Sequence, residues 1–220
     1  ANTYPASSAI KRNGLVRTNN KRVLPNSAVL HSGDGRDGVF SITASKNIHT
    51  TVIGNTRAGS AGDGVERKVS GDPTGGKVIS VASGEEDGFA TGDLVLVINK
   101  QGNLADHSAV GNYQITSVAS TTAGTINVTD TLNSNLVGSS ATNYTITIVR
   151  IPQYSSMTFS GSANLISNSW YQVTGIGGIV AVACNGPVTF TAGGIDVWKK
   201  GFAGGSNGGH YNSGSGEGNR

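Results

Sequence analysis

The chain has 220 residues, 33 of them glycine and only 13% charged, and its polar remainder is mostly Ser, Thr and Asn among short Val/Ile/Thr runs. That composition argues for an all-β, loop-rich extracellular protein and against a cytosolic enzyme. No stretch reaches the roughly 18 consecutive apolar residues that would span a bilayer, so no membrane insertion is expected.

The formal net charge is +3, but it is concentrated at the start. Lys11, Arg12, Arg17, Lys21 and Arg22 fall in the first 23 residues with no acid among them, and the rest carries 11 basic against 13 acidic residues. The opening Ala1-Asn2-Thr3-Tyr4-Pro5 fits an exported chain whose signal peptide has been removed. Aromatic interleaving is missing from the basic arm, so no nucleic-acid partner is expected. Ile10, Leu15 and Val16 are instead candidates for strand-like assembly contacts, because an extended arm can complete a neighbour's sheet.

Gly33-Asp34-Gly35-Arg36-Asp37-Gly38 reads as a tight turn into a strand at Val39–Ile42. Asp34 and Asp37 are candidate calcium ligands, although the spacing lacks an EF-hand's full set and no cofactor is otherwise implied. Residues 44–76 read as glycine-rich loops around a weak strand at 49–53. No Gly-Lys-Ser/Thr follows, which removes a phosphate loop. Strands are then predicted at 77–81, 94–98, 113–118, 125–128 and 144–149, separated by Gly/Asn/Ser turns. This spacing, without helical periodicity, predicts an antiparallel β-sandwich or small barrel. Glu85, Glu86 and Asp87 read as a solvated turn, since adjacent residues there cannot hold two carboxylates across a substrate. Four scattered histidines and the absence of Gly-x-Ser-x-Gly give catalysis no support.

After Arg150-Ile151-Pro152, short strands at 156–159, 178–183, 187–191 and 194–197 predict a second β-rich section, either parallel β-helix rungs or another sandwich. Cys184, the single cysteine, reads as a buried free thiol. Trp170, Tyr171 and Trp198 are the candidate ligand-binding aromatics. The tail from Gly201 holds eight glycines in twenty residues and gains too little burial to order alone. Phe202 is its candidate assembly contact. The chain thus divides into an extended basic arm at 1–30, a sandwich or barrel at 31–150, a second β-rich section at 151–200 and a Gly-rich tail at 201–220.

Four segments in order carry a resemblance: Gly33 to Gly38, Gly88-Phe89-Ala90-Thr91-Gly92-Asp93-Leu94-Val95-Leu96-Val97, Val149-Arg150-Ile151-Pro152-Gln153-Tyr154, and Gly177-Gly178-Ile179-Val180 through Gly201-Phe202-Ala203-Gly204-Gly205. Together with Gly216-Glu217-Gly218 they resemble an adhesin-like module of secreted and cell-surface bacterial proteins, departing from it at Trp198-Lys199-Lys200. The resemblance implies export and surface display and brings no catalytic residues.

The leading expectation is a non-enzymatic extracellular structural or adhesive protein, a self-assembling homopolymeric fibre subunit joined by strand exchange or terminal docking. The alternative is a carbohydrate- or receptor-binding module of phage tail-fibre type, whose exposed aromatics stack on a surface glycan. A third, a polysaccharide-acting enzyme on a β-helix, would need Asp93, Asp130 and Asp196 to meet.

Overall fold

The computed structural model describes residues 32–54, 61–102, 108–137, 144–171 and 173–201. The arm contacts Ile10, Leu15 and Val16, as well as Phe202, lie outside these residues. The described chain is all-β and combines two kinds of sheet.

The first is antiparallel. β3 (Glu66–Lys68), β4 (Val78–Ser80), β5 (Leu94–Gln101), β6 (Tyr113–Thr122), β7 (Thr125–Val128) and β8 (Thr145–Ile151) follow β1 (Val39–Ile42) and β2 (Lys46–Asn47) along the chain. They order as β3-β8-β5-β6-β7-β4. An antiparallel bridge from Ser70 to Ser80 brings the two outer strands toward each other, so the sheet curls into a half-barrel.

Alternation along β5 explains how the sheet is used on both faces. Val95 and Val97 point into its own core with Ile79, Val118, Ile126, Val128, Ile146 and Ile148. Leu94 and Leu96 face the other way and pack with Ile151 on Ala181 and Ala183. The apolar run therefore reads as continuous because both faces are covered. The threonine face of β8 is covered too: Thr145 and Thr147 are buried, and Gly175 lies so close that a side chain there would overlap Thr145.

The second kind is parallel. β9 (Gln153–Tyr154), β10 (Ser156–Phe159) and β11 (Asn164–Ile166) are followed by β12 (Ala183–Cys184), β13 (Val188–Phe190) and β14 (Gly194–Asp196). β9 pairs with β12, β10 with β13, and β11 with β14, all parallel and at a spacing of 30 or 31 residues. β1 and β2 pair in the same sense on the other side of β10 and β11. Strands that return in parallel register at constant spacing are winding, so these are three coils of a parallel β-helix. The choice between β-helix and sandwich left open by the sequence is settled by these ladders. The antiparallel sheet is the excursion between the first coil and the second, and the pairing of β1 with β10 crosses the division placed at residue 150.

Registers stack like residues inside the helix. Phe40, Met157 and Val188 form one column, Ile42, Phe159 and Phe190 a second, and Leu165 and Ile195 meet in a third. Phe159 lies 5.0 Å from Phe40 and 4.6 Å from Phe190 between ring centroids. The coils approach closely at their corners. Gly193 has φ +75° and sits where a side chain would overlap the Ala163 carbonyl one coil below, which leaves room only for glycine.

The strand expected at 49–53 is replaced by a turn. Asn47 Oδ1 accepts the His49 N–H at 3.0 Å and the Asn47 carbonyl accepts Thr50 N–H at 3.2 Å, which bends the chain out of β2. Of the 178–183 run, strand begins only at Ala183.

Candidate functional site

Three of the four ordered sequence segments converge where the sheet joins the coils. Arg150, near the end of β8, is fully buried and ion-pairs with Asp37 of the first turn and with Asp93, its Nε donating to Asp93 Oδ2 at 3.0 Å. Its Nη1 donates to the Asp63 carbonyl at 2.8 Å. Each carboxylate is also held by main chain: Asp37 Oδ2 accepts Gln153 N–H at 2.7 Å, and Asp93 Oδ2 accepts Ala90 N–H at 2.8 Å. Burial works against the guanidinium's charge, but Asp93 and Asp37 together hold its pKa above the ordinary arginine value. The planar fork suits this role because it can serve several acceptors in one plane.

Around this centre Arg36 donates from Nε to both oxygens of Asp34, at 2.8 and 3.1 Å, and from Nη1 to the Thr91 carbonyl at 2.8 Å. That hydrogen bonding holds the Asp34 carboxyl below the usual carboxylate value. Gly92 has φ +85°, and a side chain there would strike the Arg36 guanidinium. Asp63 Oδ2 accepts from Tyr154 Oη at 2.7 Å and from the N–H groups of Ile53 and Gly54.

Burial, followed by the Asp63 charge, pushes the Tyr154 phenol well above its ordinary 10.0. An ionisation raised by folding stabilises the native state fully below the unfolded value and loses that contribution as pH climbs past it. Absorbance at 295 nm is therefore expected to show the Tyr154 phenolate only together with loss of the β-sheet circular dichroism above pH 10, and Tyr154→Phe should remove that step.

A second buried pair fastens the sheet to the connection between β11 and β12. Lys100 of β5 pairs with Glu66 of β3, and both clasp Gly177, Lys100 donating to its carbonyl and Glu66 Oε2 accepting its N–H, each at 2.7 Å. Burial lowers the Lys100 pKa, and Glu66 opposes that shift. His49 bridges the Gly64 and Ile179 carbonyls at 2.6 and 3.0 Å.

Beside this clasp a groove of about 530 Å³ runs along Glu66–Gly71 at the sheet's outer strand. Ala82, Glu85, Tyr144, Thr174 and Ile176 complete its walls. Arg67 is fixed there by two main-chain acceptors, Nε donating to Glu85 O and Nη1 to Glu66 O, both at 3.0 Å. β3 meets β8 through its odd-numbered residues, so the main-chain groups of Glu66 and Lys68 turn away from β8.

The predicted site residues distribute unevenly. Asp34 is exposed on Arg36 and Asp37 is buried on Arg150, so the two aspartates answer separate guanidinium groups. Among the described residues no group of three or more His, Cys, Asp or Glu is placed to hold a metal ion. Trp170 borders a hollow of about 180 Å³ with Ile98, Lys100 and Gly178. Tyr171 is exposed and opens a hairpin bridged to Ile176. Trp198 is 73% exposed with the Lys199 ammonium 4.2 Å from its ring centroid. The Trp170 N–H donates to the Lys200 carbonyl at 2.8 Å, which lays the two tryptophan segments side by side.

The three acids posited for catalysis do different work. Asp93 serves Arg150, Asp130 accepts from the Thr116 hydroxyl at 2.9 Å, and Asp196 accepts from Trp198 N–H at 2.9 Å. In the acidic turn, hydrogen bonds to the Glu86 carboxylate from its own N–H, then from the N–H groups of Gly124 and Gly84, lower its pKa. Cys184 is a half-buried free thiol against the coil interior.

No family pattern and no curated protein matches the sequence. Among solved structures the chain is similar to phage tailspikes. The gp49 tailspike of Pseudomonas phage LKA1 aligns over 60% of this chain and 23% of its own, at TM-score 0.31 and 11% identity. The gp54 tailspike of Acinetobacter baumannii bacteriophage AP22, solved with A. baumannii capsular saccharide, aligns over 72% and 27%, at TM-score 0.30 and 13% identity. The gp61 tailspike of Pseudomonas phage phi297 aligns over 58% and 23%, at TM-score 0.29 and 13% identity. The chain thus spans about a quarter of each tailspike's length.

Sequence reasoning missed Arg67, Lys100 and Glu66. For Glu66 and Arg67 the only signal is Glu66-Arg67-Lys68 itself, three charged residues flanked by Val65 and Val69, a pattern that resembles a loop more than an outer strand.

Proposed function

We propose that the chain is a non-enzymatic structural module of an extracellular fibre, in which the end of the third coil is covered by a second copy of the chain. The observation that carries this is the state of the interior columns. Their members in the first two coils are buried, with Phe40 and Phe159 at 0% exposure, whereas Val188, Phe190 and Ile195 are 47%, 54% and 50% exposed. An apolar helix interior left open beside unpaired strand edges is a template for further pairing. Export and surface display, as the adhesin-like resemblance implies, belong to the same reading.

Sedimentation velocity over a concentration series, followed by electron microscopy, tests it. The chain should self-associate, and Phe190→Glu should abolish association while leaving the circular dichroism spectrum unchanged. A chain that stays monomeric throughout, or association indifferent to Phe190→Glu, would overturn the reading.

A further inference from the structure

The groove beside β3 has no place in end-to-end assembly, and its chemistry is distinct. Arg67 is oriented by two carbonyls, and among the described residues neither it nor Lys68 forms an ion pair with an acid. The charge of Glu66 is already matched by Lys100. Of the charged groups lining the groove this leaves Arg67 and Lys68 against Glu85, an excess of positive charge. A guanidinium fixed in orientation has surrendered little freedom still to be lost on binding, and its remaining N–H groups match the planar oxygens of a carboxylate. The other walls supply hydroxyls from Ser70 and Thr174 and the half-buried ring of Tyr144. Hydroxyl partners and an aromatic face suit a polyhydroxylated ring better than an apolar molecule. A volume of about 530 Å³ is of the size that holds a small ligand.

We infer that this groove binds a saccharide carrying a carboxylate, a uronic-acid unit whose carboxyl meets Arg67 and whose hydroxyls meet Ser70, Thr174 and the outward main chain of β3. The inference is independent of fibre assembly, since none of these residues lies at the end of the third coil.

The test is calorimetric titration of the full chain with a glucuronate-containing disaccharide, its neutral glucose counterpart, sodium sulfate and hexaglutamate. The acidic disaccharide should bind at least about tenfold more tightly than each of the others, the scale of one charge-assisted hydrogen-bonded pair. Arg67→Gln should reduce its affinity to that of the neutral sugar. Because Arg67 also ties down the turn at Glu85, amide chemical-shift mapping on the unaltered protein provides a second readout, with shifts expected in Glu66–Gly71 and Thr174–Ile176. No binding of the acidic disaccharide, equal or tighter binding of glucose, sulfate or hexaglutamate, or shifts confined elsewhere would each overturn the inference.

Discussion

Replacing Arg150 with methionine should destabilise the protein by about 3–5 kcal/mol, the usual scale when one member of a buried ionic cluster is removed. The loss comes from what stays behind. Asp37 and Asp93 are both fully buried, and in the variant each keeps its main-chain donors but faces no cation at the position Arg150 held. The Asp63 carbonyl loses a donor as well. Urea unfolding of Arg150→Met beside the unaltered chain measures the change. Adding Asp37→Asn and Asp93→Asn to Arg150→Met should recover a substantial part of the loss, because amides in those places bury no net charge. A variant as stable as the original, or no recovery in the triple substitution, would show that the cluster does not hold the junction.

Phe159→Ala should cost about 3–5 kcal/mol, as large-to-small aromatic truncations in cores do. Phe159 is fully buried between Phe40 of the first coil and Phe190 of the third. Those neighbours sit on β-strands whose registers are fixed by parallel ladders, so they can collapse only partly into the space vacated. Phe190→Ala should cost much less, since half of that side chain is already in water. Thermal and urea unfolding of the two variants side by side checks the ordering. Equal costs would mean that the stack does not follow the burial gradient along the columns.

The antiparallel sheet was legible in the sequence because its signals are local. The strand at 125–128 coincides with the one expected, and β4, β5, β6 and β8 are recognisable from apolar alternation and flanking turns. The Glu85-Glu86-Asp87 turn was readable for the same reason. The coils were less legible. β2, β9 and β12 are two residues long, too short for periodicity to register. β1 finds its partner across the whole antiparallel sheet, with Val39 opposite Ser156, and no local pattern reports such a pairing. The ordered glycine and arginine segments were visible as a resemblance, but their physical reason was not. It lies in Arg36, Asp37, Asp93 and Arg150 meeting from three separate stretches of chain. The groove was invisible because its recognition chemistry sits in Arg67, an arginine defined by which carbonyls hold it.

The excursion between the first two coils also sets the order in which the molecule can be built. Closing Val39 onto Ser156 in an unfolded chain means joining points far apart in sequence, an entropic cost that slows nucleation. The antiparallel strands can form without that closure, starting from β5-β6-β7, whose two pairings join neighbours in sequence. Once they have, Val65 and Arg150 are hydrogen-bonded at 2.7 Å, and the two coil ends emerge together. The sheet then acts as a folding clamp for the winding that follows, turning a long-range search into a short one.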